Sequence, residues 1–151
     1  MNKIIVILIV LLPLSCKTKV NNSKMKDSKT STLIAKGDLY GSGAEGIEKQ
    51  NIVISNRKDW DDLLEKMNSV NNVSDSFSET EIDFSKFKVI AVFDEVKTTG
   101  GHSIELNITE HKDSVLVEVV HKSPEGMATT VLTQPYYITK IMKNDLPIRF
   151  K

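Results

Sequence analysis

The chain has 151 residues, 20 basic and 20 acidic side chains, a formal net charge of zero and one cysteine. This length suits one domain whose mature part still buries a hydrophobic core. A lone cysteine excludes an intramolecular disulfide framework and a thiolate metal cluster, and zero net charge lacks the positive field that non-specific nucleic-acid binding requires. The first element is a leader. Lys3 supplies an early positive charge, Ile4 to Leu12 is an unbroken apolar run, and Ser15 is a small residue before Cys16. The run is shorter than the roughly 20 residues that span a bilayer as a helix. The pattern predicts a signal peptide over residues 1–15.

Cys16 closes this leader, and the arrangement resembles a bacterial lipoprotein signal. The resemblance implies cleavage after Ser15 and a lipid on the Cys16 sulfur, the expected lipidation site. Two or three acyl chains hold a protein at a membrane far more firmly than one. Lys17 stands where aspartate favours inner-membrane retention in many bacteria, so the resemblance implies an outer-membrane anchor in the cell envelope. Residues 16–32 hold one valine, one methionine and no aromatic residue, too little apolar surface to offset ordering entropy. They are read as a flexible tether about 20–25 Å from end to end. Between Lys17 and Lys36 there are six lysines against Asp27 alone, whereas residues 37–151 hold 13 basic and 19 acidic side chains. The neutral total is thus a basic tether joined to an acidic domain.

Alternating hydrophobicity begins near residue 33, and residues 33–151 are read as one globular domain. Leu33 to Tyr40 is a predicted strand. Gly41-Ser42-Gly43-Ala44-Glu45-Gly46 is formally G-x-G-x-x-G, but it leads into another strand, Gln50 to Ile54, rather than a helix. It is therefore a turn and not a dinucleotide site. Asn56 is a plausible N-cap with Asp59 three residues on. Trp60, Leu63, Leu64 and Met67 recur at helical spacing, predicting a helix from Arg57 to Asn68. Residues 69–83 are polar and read as a loop. Phe87 to Val96, Ile104 to Thr109, Val115 to His121, Met127 to Leu132, Tyr136 to Met142 and Ile148 to Phe150 are the remaining predicted strands, with Pro135 between two of them. Short turns disfavour parallel crossovers. The expected fold is α+β: a mainly antiparallel β-sheet, sandwich- or barrel-like, with one packed amphipathic helix.

Gly100-Gly101-His102-Ser103-Ile104-Glu105-Leu106, then Ser123-Pro124, then Thr133-Gln134-Pro135-Tyr136-Tyr137-Ile138-Thr139-Lys140-Ile141, resemble the PrcB C-terminal domain family. Ile82-Asp83-Phe84-Ser85 fits as well, so the resemblance covers about residues 80–143. The family usually has tyrosine where His102 stands. It takes its name from a lipoprotein that accompanies a secreted serine-type protease in an outer-membrane complex. The resemblance implies an envelope protein or protease partner and no catalytic residue.

Chemistry read from the residues points the same way. No G-x-S-x-G elbow occurs, and His102, His111 and His121 lack the spacing of a metal site. Asp94-Glu95 reads as a solvated strand terminus, its two carboxylates on opposite faces. Gly100 and Gly101 are either a structural turn or part of a loop that touches a partner. Tyr136 and Tyr137 alternate, so one ring is expected in the core and one exposed. Gly100, Gly101, His102, Tyr136 and Tyr137 are the candidate contact residues. The expected function is a non-catalytic, membrane-anchored protein-binding or accessory module without cofactor or metal. A protease inhibitor using the glycine loop is the second reading, and a small hydrolase or metal-dependent enzyme built on His102 and Asp94 the third.

Overall fold

The computed structural model describes residues 31–151, so the leader, Cys16 and the tether through residue 30 lie outside the described residues. Helix α1 spans Arg57–Asn68, as its periodicity predicts. It starts where Asn56 turns extended and its side chain accepts a hydrogen bond from the Asp59 N–H. It ends at Ser69, whose N–H reaches the Lys66 carbonyl. Trp60, Leu63 and Met67 form its buried face. The polar stretch that follows is not wholly irregular: Val73–Ser76 makes a short 3-10 turn, held by Asn68, whose Oδ1 accepts from the Ser74 N–H.

The strands are β1 (Ser31–Leu39), β2 (Gln50–Ile54), β3 (Phe87–Phe93), β4 (Ser103–Glu110), β5 (Val115–Lys122), β6 (Gln134–Met142) and β7 (Ile148–Phe150). They form a four-stranded sheet in the order β1-β6-β3-β2 and a three-stranded sheet in the order β4-β5-β7. Every neighbouring pair is antiparallel except β5 and β7. The chain reaches β7 by crossing from one sheet to the other through residues 143–147, so no hairpin dictates its direction. The fold is α+β, as expected.

Two cores explain why β3 reads as a continuous apolar run. Val89, Ala91 and Phe93 face a core shared with Trp60, Leu63, Met67 and Tyr136. Ile90 and Val92 face a second core with Ile104, Val115, Val117 and Ile141. The larger sheet is therefore the middle layer between α1 and the smaller sheet, and its central strands bury both faces.

Two strand expectations need correction. The regular ladder expected over Phe87 to Val96 ends at Phe93, because Pro135 opposite Asp94 has no N–H to return the bond it accepts. Met127 to Leu132 is not a strand: its backbone contact with the rest of the domain is one hydrogen bond, from the Gly100 N–H to the Thr129 carbonyl, before the bridge at Thr133. Its apolar side chains have no sheet face to meet, and Met127, Val131 and Leu132 are exposed. Alternation alone cannot distinguish a half-buried strand from an extended surface segment. Pro135 does not separate two strands but lies within β6.

Candidate contact surface

Pro135 occupies a central strand, where its missing N–H would leave a carbonyl of β3 unpaired. The Asp94 N–H bonds to the Pro135 carbonyl at 2.9 Å, but no return bond is possible. Gln134 supplies the substitute. Its buried side-chain amide donates to the Asp94 carbonyl at 2.9 Å and to the Ile47 carbonyl at 2.7 Å. A proline in mid-sheet and a buried glutamine beside it thus have one explanation.

Beyond this point Asp94 forms the densest charge cluster of the domain. Its side chain is only 4% exposed, with Lys49 at 2.9 Å, Lys97 at 3.1 Å and His121 Nδ1 at 3.0 Å. The Glu95 N–H also donates to it at 2.8 Å. Burial opposes ionisation, but the Lys49 bond, the Glu95 N–H, Lys97 and the charge of His121 together outweigh it. They hold the carboxyl well below the usual carboxylate range. Asp94 is therefore not a solvated strand end. It links the larger sheet, through His121, to the smaller one. Glu95 remains exposed and pairs with Lys97 and Lys49, as a solvated terminus would.

The glycine pair sits on the next loop. Lys97 and Thr133 exchange backbone hydrogen bonds of 2.7 and 3.0 Å, bringing the stretch with Val96 against the one with Val131 and Leu132. A Cβ on Gly100 would stand 2.9 Å from Thr129 Oγ1 and 3.0 Å from Val131 Cγ1. Gly101 has φ +84° and would place a Cβ 3.0 Å from that of Pro124. Both glycines admit the 124–131 segment at close range, a packing reason for glycine at each position. Gly101→Ala should cost about 1–2 kcal/mol from the left-handed backbone and the contact. Thermal unfolding of the variant checks this, and an unchanged midpoint would contradict it.

The two tyrosines do face opposite sides, but neither ring is the exposed one expected. Tyr136 is 4% exposed and packs near Phe77 and Phe93, with ring centroids 6.3 Å away in each case. Burial raises its phenol pKa, the Ser76 bond offsetting part of the effect. Tyr137 is half-buried against the second core, and burial raises its pKa as well. The exposed outcome fails because the smaller sheet covers the face that a two-layer reading leaves open. The exposed tyrosine is Tyr40, after β1.

His102 and Tyr136 do come together. With Lys36, Asp38 and Glu105 they line a cavity of about 210 Å³ between β1 and β4. His102 Nε2 lies 2.9 Å from Thr99 Oγ1. Burial pushes the Asp38 carboxyl above its ordinary range, partly offset by Thr133 and His102. Asp94 is not part of this cavity. His102 and Asp94 thus belong to separate clusters, against the arrangement that the third reading requires. Among the described residues no group of three or more His, Cys, Asp or Glu side chains is placed to hold a metal ion. No described helix is long and apolar enough to cross a membrane.

Five of the nine large apolar residues left in solvent come from loops around the same end, whereas Leu33, Val53, Val70 and Met142 are exposed elsewhere. Val96, Val131 and Leu132 come from the paired stretches just described. Tyr40 follows Leu39, the β1 partner of Gln134, and the Gly41–Gly46 turn approaches Val96. Met127 is fully exposed on the intervening segment. Sequence reading missed these residues because it assigned them to a strand or a turn; their signal was an apolar segment whose flanks, Pro124-Glu125-Gly126 and Pro135, restrict pairing.

No curated protein and no solved structure matches the chain. One family model does, over residues 88–142. The match runs from the second residue of β3 to the end of β6 and takes in the glycine loop, the exposed 127–132 segment and both tyrosines. It lies inside the span of about 80–143 read from the sequence, leaving Ile82 to Ser85 outside. Residues 88–142 match the model of the family described as PrcB C-terminal.

Proposed function

We propose that this chain is a non-catalytic accessory module of the bacterial cell envelope, anchored through lipid on Cys16 and binding a protein partner through the end of the domain that carries Tyr40, Val96, Val131 and Leu132. The family match supports a protease-associated setting. The observation that carries the reading is the exposure of these side chains, with Met127, around one set of paired loops. Such patches on a folded domain mark interaction surfaces more often than isolated apolar residues do. The charge distribution supports a membrane-proximal setting, since a basic tether is drawn to an anionic surface from which an acidic domain is repelled.

Mild-detergent purification of the full chain from its native membranes tests the proposal. A partner should co-purify in constant ratio with the wild type. The double variant Val131→Asp, Leu132→Asp should lose at least about ten-fold of it, since the centre of an interface tolerates few charges. Recovery of the chain alone in repeated preparations would count decisively against a binding role.

A further inference from the structure

The outer edge of β1 is open at one place, and the pairing pattern identifies it. Pro135 directs its carbonyl toward β3, where Asp94 donates to it. Asp38 lies opposite Pro135 on the other side, so Asp38 and β6 form a pair without mutual hydrogen bonds. Antiparallel pairs alternate, which gives Lys36 opposite Tyr137 the same character. The N–H and C=O groups of Lys36 and Asp38 therefore point away from β6. Among the described residues no backbone group pairs with them. Lys36 and Gly37 are exposed.

The same edge is already used one step earlier. The Ser78 N–H donates to the Ile34 carbonyl at 3.0 Å, and Ser78 Oγ to the Leu33 carbonyl at 3.2 Å. The β1 irregularity between Leu33 and Ala35 then ends that contact. From Lys36 onward the edge has bare donors and acceptors at every second residue. A row of this kind is complementary to one thing, an extended backbone.

The cavity between β1 and β4 lies beside this edge. Its 210 Å³ suits a side chain of modest size, and its β1 wall is Lys36, Gly37 and Asp38. Asp38 Oδ1 is buried without a hydrogen-bond partner. A buried acceptor of this kind calls for a donor.

We infer that an extended segment of a protein partner adds to β1 as a fifth strand of the larger sheet, pairing with the backbone of Lys36 and Asp38 and placing a side chain with a hydrogen-bond donor beside Asp38. This inference rests on the protein-binding reading and gives it a mode. Strand addition supplies affinity through the main chain and specificity through the alternate side chain that enters the cavity.

The probe is a displayed library of random ten-residue peptides, selected on the full chain in detergent, with the recovered peptide then synthesised. Its binding should slow amide exchange at Lys36 and Asp38. Lys36→Pro removes an outward N–H and leaves the β6 ladder intact, so it should weaken binding about ten-fold or more. Far-UV circular dichroism establishes that the variant is folded, and exchange on the wild type gives an answer that does not depend on it. Selected peptides should be rich in Ser, Thr, Asn or Lys at one fixed position, and Asp38→Ala should erase that preference. Failure to select any peptide, or protection elsewhere with Lys36 and Asp38 unchanged, would overturn the inference. Concentration-dependent protection of the same amides without peptide would also overturn it, since the occupant would then be a second copy of this chain. Each of these results leaves the native-membrane purification free to succeed or fail by itself.

Discussion

Trp60→Ala is expected to destabilise the domain by about 3–5 kcal/mol, the largest effect of any single substitution in α1. Trp60 is fully buried, and its ring lies 6.4 Å from that of Phe77. Its Nε1–H donates to the Thr80 carbonyl at 2.7 Å, fastening the loop after α1 to the helix. Truncation removes the packing and leaves that carbonyl without its donor. Trp60→Phe separates the two effects, because it retains most of the apolar volume; about 1–2 kcal/mol is expected. Urea unfolding followed by far-UV circular dichroism measures both variants, since the chain has no other tryptophan to report by fluorescence. A loss below about 1 kcal/mol for the alanine variant would mean that α1 is held to the sheet by other contacts.

Asp94→Ala is the second large effect, about 2–3 kcal/mol. Removing one member of a buried ion pair leaves the others without their counter-charge, but here Lys49 and His121 are half exposed and recover water. That places the loss below the upper range for a fully buried pair. The pH dependence has a definite sign. The folded carboxyl is held below its unfolded value of about 3.9, so the native state releases this proton more readily. The contribution of Asp94 is then complete above about pH 4 and fades as pH falls further toward the lower folded value. The gap between wild type and variant should shrink below about pH 4. A gap that stays unchanged down to pH 2, roughly, would show that the carboxylate contributes no net charge stabilisation.

Asp94 also shows where local reading stops. Alternation sets Asp94 and Glu95 on opposite faces, yet β3 ends at Phe93 and the folded chain brings Lys49 and Lys97 to both carboxylates and His121 to Asp94. These partners come from a loop before β2, a loop after β3 and the far end of β5, at separations that no spacing rule connects. The cavity beside Asp38 has the same origin: β1 and β4 are remote in sequence and meet because the two sheets stack. Gln134 was unreadable for a different reason. Its value lies in replacing a hydrogen bond that Pro135 cannot make, which matters only once Pro135 is known to be inside a sheet.

What the amino-acid order determined by itself is local and periodic. Asn56 and the Trp60, Leu63, Met67 face define α1 to both of its ends, because capping and helical spacing act within a dozen residues. The strand at Gln50–Ile54 and the alternating pair around the 110–114 turn are equally self-contained. Tertiary structure alone decided whether an apolar residue lies inside. Tyr137 and β3 are covered on a second face by the smaller sheet, whereas Val131 and Leu132, no less apolar, have no layer opposite them and stay in water. Burial requires a partner surface, and that surface is built by residues distant in the chain.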